Sequence, residues 1–206
     1  MPSSCGYVPF LLRCALILAF TFTLKNYIIV MYLREEIKIR TIKVFDDKNY
    51  QADWEKYKRD SARAIIFSGD KLIMVKSDKY GEYKFPGGGI EGDETHIETI
   101  LRETEEETGL YIIPESLKEY GKTLVIRKNF EQDKIFEQES FYYLCDVDTD
   151  KKSLPQPDEG YETEYGYKLV YATLDEAITA NEKLLNIPAI PWVKRDLTVL
   201  YELKER

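Results

Sequence analysis

The chain has 206 residues, of which 44% are hydrophobic and 13% aromatic, and its formal net charge is −8. This length and apolar content suit one well-buried core, so we expect a single domain with appendages rather than two domains. The acidic balance argues against nucleic acid as a partner, because a phosphate backbone attracts basic surfaces. The acidic balance does not exclude small phosphorylated substrates, because a bound cation reverses the local electrostatic field. The three cysteines follow no disulfide or metal-binding spacing.

The first 33 residues differ in composition from the rest of the chain. They contain no acidic residue, and residues 14–24 form an uninterrupted apolar run. That run is shorter than the roughly 20 residues that span a bilayer. Three interpretations are open: an extension upstream of a true start at Met31, a weak membrane anchor through residues 8–33, or a cleaved signal segment. We therefore expect a hydrophobic extension over residues 1–33 and a folded domain over residues 34–206.

Several later segments have the pattern of β-strands. Residues 37–45 alternate apolar and basic side chains, as a half-exposed strand does. The tripeptide Ser68-Gly69-Asp70 joins two apolar runs and predicts a hairpin. The predicted strands are residues 37–45, 63–67, 72–76, 123–127, 139–147 and 166–172.

Two helices are predicted near the end of the chain. Thr173 and Glu176 have the spacing of a capping box, which predicts a helix over residues 174–185. Pro191 fits the start of a last helix. Strands followed by helices in this order predict a mixed β-sheet with helices packed on it, an α/β fold. The predicted apolar stripe of the last helix is Val193, Leu197, Leu200 and Tyr201.

Residues 84–110, with the sequence KFPGGGIEGDETHIETILRETEEETGL, carry an unusual concentration of charge. Glutamates occupy positions 103, 105, 106 and 107 of a predicted helix that begins near Asp93 or Glu94. Like charges at i,i+3 and i,i+4 destabilise a helix. A helix that retains this unfavourable spacing of like charges indicates a functional site.

Three of these glutamates are expected to converge. On a helix Glu103, Glu106 and Glu107 share one arc, whereas Glu105 points elsewhere. Such an oxygen-rich patch suits Mg²⁺ or Mn²⁺ rather than a soft metal. The alternative, from the charge pattern alone, is a solvated acidic surface helix.

The remaining positions of this helix predict how it is held. Glu98 and Arg102 are spaced i,i+4 and are expected to pair. His96, the one histidine of the chain, is interpreted as a surface residue. The side expected to face the sheet comprises Ile97, Ile100, Leu101, Thr104 and Thr108.

Three consecutive glycines, Gly87, Gly88 and Gly89, precede the acidic helix. Glycine lets the backbone turn tightly and expose its N–H groups, and a helix N-terminus favours anions. We therefore expect a loop that accepts the phosphates of a substrate. It is not a Walker loop, because no Gly-Lys-Ser/Thr sequence follows. Tyr83 and Phe85, just before the glycines, are expected either to stack on a base or to pack in the core.

The spacing of this segment resembles a known motif. From residue 88 onward it is Gly, five residues, Glu, seven residues and then RETEEETGL. This resembles the Nudix box, GX5EX7REUXEEXGU, in which U is a bulky aliphatic residue. Every fixed polar and glycine position matches, and Thr104 alone departs, at a U position. A looser resemblance extends over about residues 37–203.

The resemblance to the Nudix family implies an α/β/α sandwich around a mixed β-sheet. It also implies hydrolysis of a nucleoside diphosphate linked to a further group X, with Mg²⁺ or Mn²⁺ as cofactor. Glu103, Glu106 and Glu107 would be the catalytic glutamates and the metal ligands, and the Gly88 carbonyl a further ligand.

The resemblance assigns other residues to supporting roles. Glu94 and Arg102 would form a structural brace for the acidic helix. Gly87, Gly88 and Gly89 would form the phosphate loop. One more acid from a late loop, Glu162 or Glu164, would serve as a metal ligand or base.

The substrate is expected to be a small phosphorylated nucleotide: a nucleoside triphosphate, a nucleotide sugar or a dinucleotide polyphosphate. An alternative is a domain of the same fold that senses a nucleotide or nucleotide sugar without catalysis. We expect a cytoplasmic protein, with a homodimer as one option for its assembly. A membrane-tethered protein is the alternative if residues 1–30 are translated.

Overall fold

The computed structural model describes residues 39–154 and 164–206 of the chain. The predictions for residues 1–33 and for Glu162 lie outside the described residues. The strands are β1 (Thr41–Asp46), β2 (Lys56–Lys58), β3 (Ser61–Ser68), β4 (Lys71–Ser77), β5 (Tyr83–Lys84), β6 (Gly87–Gly89), β7 (Leu110–Ile112), β8 (Lys118–Lys128), β9 (Ile135–Cys145), β10 (Val147–Lys152) and β11 (Tyr167–Ala172). The helices are α1 (His96–Thr108), a short 3-10 helix (Pro114–Ser116), α2 (Leu174–Glu182) and α3 (Val193–Lys204).

The main sheet is mixed, as the sequence predicts. Its strands follow the order β1-β8-β9-β3-β4-β11, while β2, β5 and β6 pair with β9, β4 and β3. Strand β1 lies parallel to β8 and β3 parallel to β9, whereas the other neighbours in this order are antiparallel. Strands β7 and β10 form a separate antiparallel pair.

Alternation along β3 divides the core into two layers, because successive side chains of a strand point to opposite faces. Ala64 belongs to the layer that contains Ile100 of α1. Ile65 belongs to the layer that contains Ile178 of α2 and Leu197 of α3. Helices therefore cover both faces of the sheet, and the predicted α/β/α sandwich is confirmed.

Most of the predicted strands are confirmed, with shifted ends. Strands β3 and β8 are longer than predicted, and β1 begins at Thr41. The segment predicted as one strand over residues 139–147 is divided, because β9 ends at Cys145 and Val147 begins β10 in the second sheet. The hairpin at Ser68-Gly69-Asp70 is confirmed, and Gly69 takes the positive φ that the turn needs.

The two late helices begin close to where the sequence places them, although α2 ends at Glu182 and not at residue 185. Thr173 caps α2 through the predicted capping box with Glu176. The stripe of α3 is buried except at Tyr201, which is 41% exposed, so its assignment to the stripe was wrong. The Tyr201 hydroxyl donates instead to Glu182. Within residues 39–154 and 164–206, no helix has the length and apolar content needed to cross a membrane.

Helix α1 begins two or three residues later than predicted. Thr95 is its N-cap and forms a capping box with Glu98, which fixes the helix start at His96. Because the Glu98 carboxylate binds Thr95, the predicted pair between Glu98 and Arg102 was wrong. The helix ends at Gly109, whose φ of 69° is typical of a left-handed cap.

The buried side of α1 differs from the prediction in its first turn. Ile97 is 46% exposed, so the expectation that it faces the sheet was wrong. Thr99 is buried in that turn instead, where its hydroxyl donates to Glu94. Thr104, at the position where an aliphatic residue is usual, is fully buried, and its hydroxyl has no hydrogen-bond partner among the described residues.

We predict that Thr104→Val stabilises the protein by about 1 kcal/mol, because it removes a buried hydroxyl that gains no hydrogen bond in the folded state. The free energy of unfolding in urea measures the change. Thr108→Val is the matched control, since the Thr108 hydroxyl donates to the Thr104 carbonyl and accepts from the Leu110 N–H. Thr108→Val should destabilise the protein. A lower urea midpoint for Thr104→Val would contradict the prediction.

Candidate active site

The three glycines form strand β6 at the centre of the site. Gly87 pairs with Arg63 of β3, and a Cβ on Gly87 would lie 2.2 Å from the Ala62 carbonyl oxygen. Its φ of 130° also favours glycine. Arg63 donates from Nη1 to the Phe85 carbonyl at 3.0 Å and to the Gly87 carbonyl at 2.6 Å. The backbone of this strand is therefore fixed against the sheet.

Two of the predicted glutamates lie directly against this strand. A Cβ on Gly88 would approach Glu103 Oε1 to 2.2 Å, so any side chain there would displace that carboxylate. Glu107 Oε2 accepts a hydrogen bond from the Gly87 N–H at 2.8 Å. Glu107 Oε1 lies 3.8 Å from Lys84 Nζ, and both side chains are buried. The absence of a side chain at Gly88 therefore leaves space for the Glu103 carboxylate.

The Arg102 guanidinium joins the acidic groups of the site. It binds Glu94 in a bidentate manner, from Nε to Oε1 at 2.8 Å and from Nη2 to Oε2 at 2.9 Å. Its Nη1 donates to Glu103 Oε1 at 2.9 Å and to Glu106 Oε2 at 3.0 Å. The predicted Glu94–Arg102 ion pair is therefore present, and Arg102 also connects two of the three convergent glutamates.

No set of three acidic, histidine or cysteine side chains within residues 39–154 and 164–206 is close enough to hold a metal ion as they stand. Arg102 Nη1 lies between Glu103 and Glu106, so a guanidinium group separates those two carboxylates. The donor atoms at hand are nonetheless carboxylate oxygens beside a glycine backbone, the hard ligands that Mg²⁺ and Mn²⁺ prefer. The residues present fit such a cation.

Burial disfavours the charged form of two of these carboxylates. It raises the pKa of Glu107 to about 7, although Lys84 and Arg63 oppose the shift. Burial also raises the pKa of Glu103, and Arg102 opposes that shift. Glu94 behaves in the opposite way, because the bond to Arg102 lowers its pKa to about 2. The glutamates nearest the glycines therefore carry an electrostatic cost that a bound cation would offset.

Three basic residues of the site were missed by sequence analysis. Arg63 interrupts the buried strand β3, and a lone arginine in an apolar run was the available signal. Lys84 is 4% exposed and directly precedes the Phe-Pro-Gly turn. The Arg59 guanidinium lies over Gly89, where a Cβ would meet its Nε at 3.2 Å. None of the three stands out by spacing alone: pairing of β6 with β3 brings Arg63 to the glycines, and Lys84 lies on β5, which pairs with β4.

Glu164 and His96 lie outside the hydrogen-bonded cluster that Arg102 forms with the glutamates. The side chain of Glu164 is 67% exposed and pairs with Lys79. His96 is half-buried, which corrects its interpretation as a surface residue. Its ring stacks on Phe141 at 3.9 Å, and its Nδ1 lies 2.9 Å from the Tyr143 hydroxyl.

The two aromatic residues before the glycines belong to the structure around the site. Phe85 is fully buried and packs edge-to-face on Tyr142 at 5.7 Å, so it lies in the core and not at a base-stacking surface. Tyr83 is partly buried, and Lys76 Nζ lies 4.8 Å from its ring centre.

Fold and site together define an α/β/α protein in which an acidic helix packs beside a glycine strand and is braced by an arginine. The model of the NUDIX domain matches residues 57–194. The chain belongs to the NUDIX family, which confirms the resemblance.

Relatives share part of the sequence. "Uncharacterized Nudix hydrolase YvcI" of Bacillus subtilis is 32% identical over 62 residues, which cover 30% of this chain and only 39% of that protein. "Probable DHNTP pyrophosphohydrolase" of Lactococcus lactis subsp. cremoris is 26% identical over 131 residues, 59% of this chain and 75% of that protein. The crystal structure of a MutT protein from Bacillus halodurans is 22% identical with a TM-score of 0.46, over 59% of this chain and 72% of that one.

The lowered pKa of Glu94 predicts how the stability of the folded protein changes with pH. A carboxylate with a folded-state pKa of about 2 and an ordinary value of 4.5 stabilises the folded state above pH 4.5. That stability is lost as the pH falls from 4.5 toward 2. Glu94→Gln should therefore be less stable than the wild type at pH 7 and lose less stability across this window.

Urea unfolding midpoints measured at several pH values test this prediction. Glu105→Gln is the control, because it removes a carboxylate of the same helix that lies outside the hydrogen bonds and ion pairs described for Arg102. A pH dependence of Glu94→Gln as steep as that of the wild type would show that the Glu94–Arg102 pair does not stabilise the fold.

Proposed function

We propose that the chain is a metal-dependent pyrophosphohydrolase that cleaves the diphosphate linkage of a nucleoside diphosphate-X substrate. One observation carries this proposal. Glu103 and Glu107 lie largely buried against a strand of three glycines, and Arg102 links Glu103 to Glu106. Buried carboxylates with raised pKa values destabilise a fold. The convergence of these glutamates beside a glycine strand therefore supports a role in catalysis.

Glu103, Glu106 and Glu107 would hold Mg²⁺ or Mn²⁺, with the Gly88 carbonyl as a further ligand. When bound, such an ion neutralises phosphate oxygens and makes water a better nucleophile. Glu164, which pairs with Lys79, is a less suitable ligand, and Glu162 stays a prediction from the sequence.

The chain's own residues divide the remaining tasks. Arg59 lies over Gly89 and is placed to bind a phosphate oxygen, since a guanidinium matches phosphate geometry. Arg63 donates hydrogen bonds to the carbonyls of Phe85 and Gly87, which fixes the backbone conformation of the glycine strand. Glu106 is the best-placed general base, because its side chain is 34% exposed and only its Oε2 accepts from Arg102. Its Oε1 would take the proton of the attacking water.

The relatives' names point the same way. A pyrophosphohydrolase is among the curated relatives, and its name describes cleavage of a pyrophosphate bond. We extend only that reaction class to this chain, and the group X is not carried over.

Glu106→Gln should lower Mg²⁺-dependent hydrolysis by about 10²- to 10⁴-fold, because it removes the proton acceptor and a charged oxygen from the site. Release of phosphate and pyrophosphate from a panel of nucleoside triphosphates, nucleotide sugars and dinucleotide polyphosphates measures activity. Mn²⁺ binding followed by electron paramagnetic resonance gives a second readout, and we expect weaker Mn²⁺ binding by Glu103→Gln and Glu107→Gln.

Glu105→Gln is the matched control and should keep both activity and Mn²⁺ affinity. A wild-type protein that binds nucleotides but hydrolyses none of the panel would favour the alternative, a nucleotide-sensing domain without catalysis. Equal activity of Glu106→Gln and the wild type would show that the assignment of the acidic helix is wrong.

A further inference from the structure

Lys84 carries a buried positive charge directly beside the acidic helix. Its side chain is 5% exposed, and its Nζ lies 3.8 Å from Glu107 Oε1. That separation exceeds the roughly 3.2 Å that limits a good hydrogen bond. The carboxylate therefore attracts the ammonium without fixing its direction, so further contacts must hold Lys84 in place.

The ring of Tyr167 provides such a contact. Lys84 Nζ lies 3.9 Å from the centre of that ring and 6.0 Å from that of Trp192. Both values fall within the reach of a cation–π interaction, which is strongest where water is excluded from the cation. The ammonium thus contacts a carboxylate and the face of an aromatic ring while the protein shields it from solvent.

The register of the main sheet determines which side chains meet here. Lys84 of β5 pairs with Val75 of β4, and Tyr167 of β11 pairs with Ser77 on the other edge of the same strand. Because these two β4 residues are two positions apart, their partners lie on one face of the sheet. Leu169, two residues after Tyr167, packs in the layer that contains α1, so this is also the face of the acidic helix.

The Tyr167 ring is fixed by a contact of its own. Its hydroxyl donates to Glu82 Oε1 at 2.7 Å, and the Glu82 side chain is fully buried. Between Glu82 and Lys84, the Tyr83 N–H donates to Asn181 Oδ1 and the Tyr83 carbonyl accepts from Asn181 Nδ2, both at 2.9 Å. One tyrosine therefore binds the two side chains on either side of a clamped residue, directly before the turn into the glycine strand.

We infer that Tyr167 is a positioning residue of the active site: it holds the Lys84 ammonium against Glu107 and so fixes the Glu107 carboxylate for the cation. This inference rests on the proposed function, since Glu107 is one of the proposed metal ligands. The Gly87 N–H holds Glu107 Oε2, and Lys84 attracts Oε1, so each oxygen has a defined direction. Tyr167 acts through Lys84 and not on the substrate.

The test replaces Tyr167 in the full chain by leucine, by phenylalanine and by a trifluorinated phenylalanine. Tyr167→Leu removes the ring, whereas Tyr167→Phe keeps the ring and removes the hydrogen bond to Glu82. Fluorine withdraws negative charge from the ring face at nearly unchanged shape. The fluorinated residue therefore differs from phenylalanine in the strength of the cation–π contact.

Tyr167→Leu should lower kcat for the nucleotide that the wild type hydrolyses fastest by about 10- to 30-fold, as expected for a desolvated cation–π contact, with KM changed less than about twofold. Tyr167→Phe should keep kcat within about threefold of the wild type, although loss of a donor to a buried carboxylate lowers its urea midpoint. The fluorinated variant should have a kcat between these two. A merely structural role would instead make kcat follow the urea midpoints.

Two readouts are independent of catalysis. Mn²⁺ affinity, followed by electron paramagnetic resonance, should weaken in Tyr167→Leu and stay at the wild-type value in Tyr167→Phe. Brief acetylation of the metal-free protein, followed by peptide mass spectrometry, should modify Lys84 in Tyr167→Leu and leave it protected in the wild type and in Tyr167→Phe. The exposed Lys71 reports equal labelling of all samples.

Tyr171→Leu is the matched control, because Tyr171 lies on the same face of β11 and is 47% exposed. It should match the wild type in kcat, Mn²⁺ affinity and protection of Lys84. Circular dichroism shows whether each variant is folded. If Tyr167→Leu does not fold, the comparison of Tyr167→Phe with its fluorinated form decides, and equal kcat values for these two would overturn the inference.

Failure of the inference is distinct from failure of the proposed function. Absence of hydrolysis by the wild type, together with weaker Mn²⁺ binding and a reactive Lys84 in Tyr167→Leu but not in Tyr167→Phe, would overturn the hydrolase proposal and support the role of Tyr167. Wild-type kcat and Mn²⁺ affinity in folded Tyr167→Leu would overturn the positioning role alone. Equal losses of kcat in Tyr167→Phe and Tyr167→Leu would overturn it as well, because the ring would then contribute nothing.

Discussion

The Arg102 guanidinium lies among three carboxylates and holds the acidic helix to the loop before it. Glu94 comes from that loop, whereas Glu103 and Glu106 belong to α1, so one side chain ties the loop to the helix. Without this cation, the glutamates of α1 would repel one another at helical spacing. The site can therefore concentrate negative charge at the edge of the sheet because a fixed positive charge already lies within it.

The glycine strand is the second condition for the site. Glu103 occupies the space that a Gly88 side chain would fill, and Glu107 accepts from the Gly87 N–H. Both side chains are largely buried, and burial of a carboxylate without full compensation is costly. Lys84 and Arg63 offset part of that cost for Glu107. The fold thus holds two acids in an unfavourable environment, as expected where a cation or a substrate supplies the missing charge.

Local patterns explain what the sequence predicted well. The capping box at Thr173 and the hairpin at Gly69 each depend on residues close in sequence, whereas the Glu94–Arg102 pair was implied by the resemblance to the Nudix box. The predicted pair between Glu98 and Arg102 was wrong because two local partners compete for the Glu98 carboxylate. Glu98 binds the N-cap residue Thr95, and Arg102 binds Glu94 instead. Arg63 was missed because its role depends on pairing between β3 and β6, which no local pattern encodes.

The same limit explains why no motif marks the cavity that is lined in part by Phe45, Val125, Arg127 and Pro191. Its walls come from β1, β8 and the loop before α3, segments far apart in the chain. The acidic helix packs on the opposite face of the sheet. A layer of β-strands therefore separates the glutamates from most of the cavity lining, and changes at Arg127 or Asp47 leave the contacts of Arg102 untouched. The acidic helix and this cavity therefore belong to opposite faces of one sheet, and neither shares a side chain with the other.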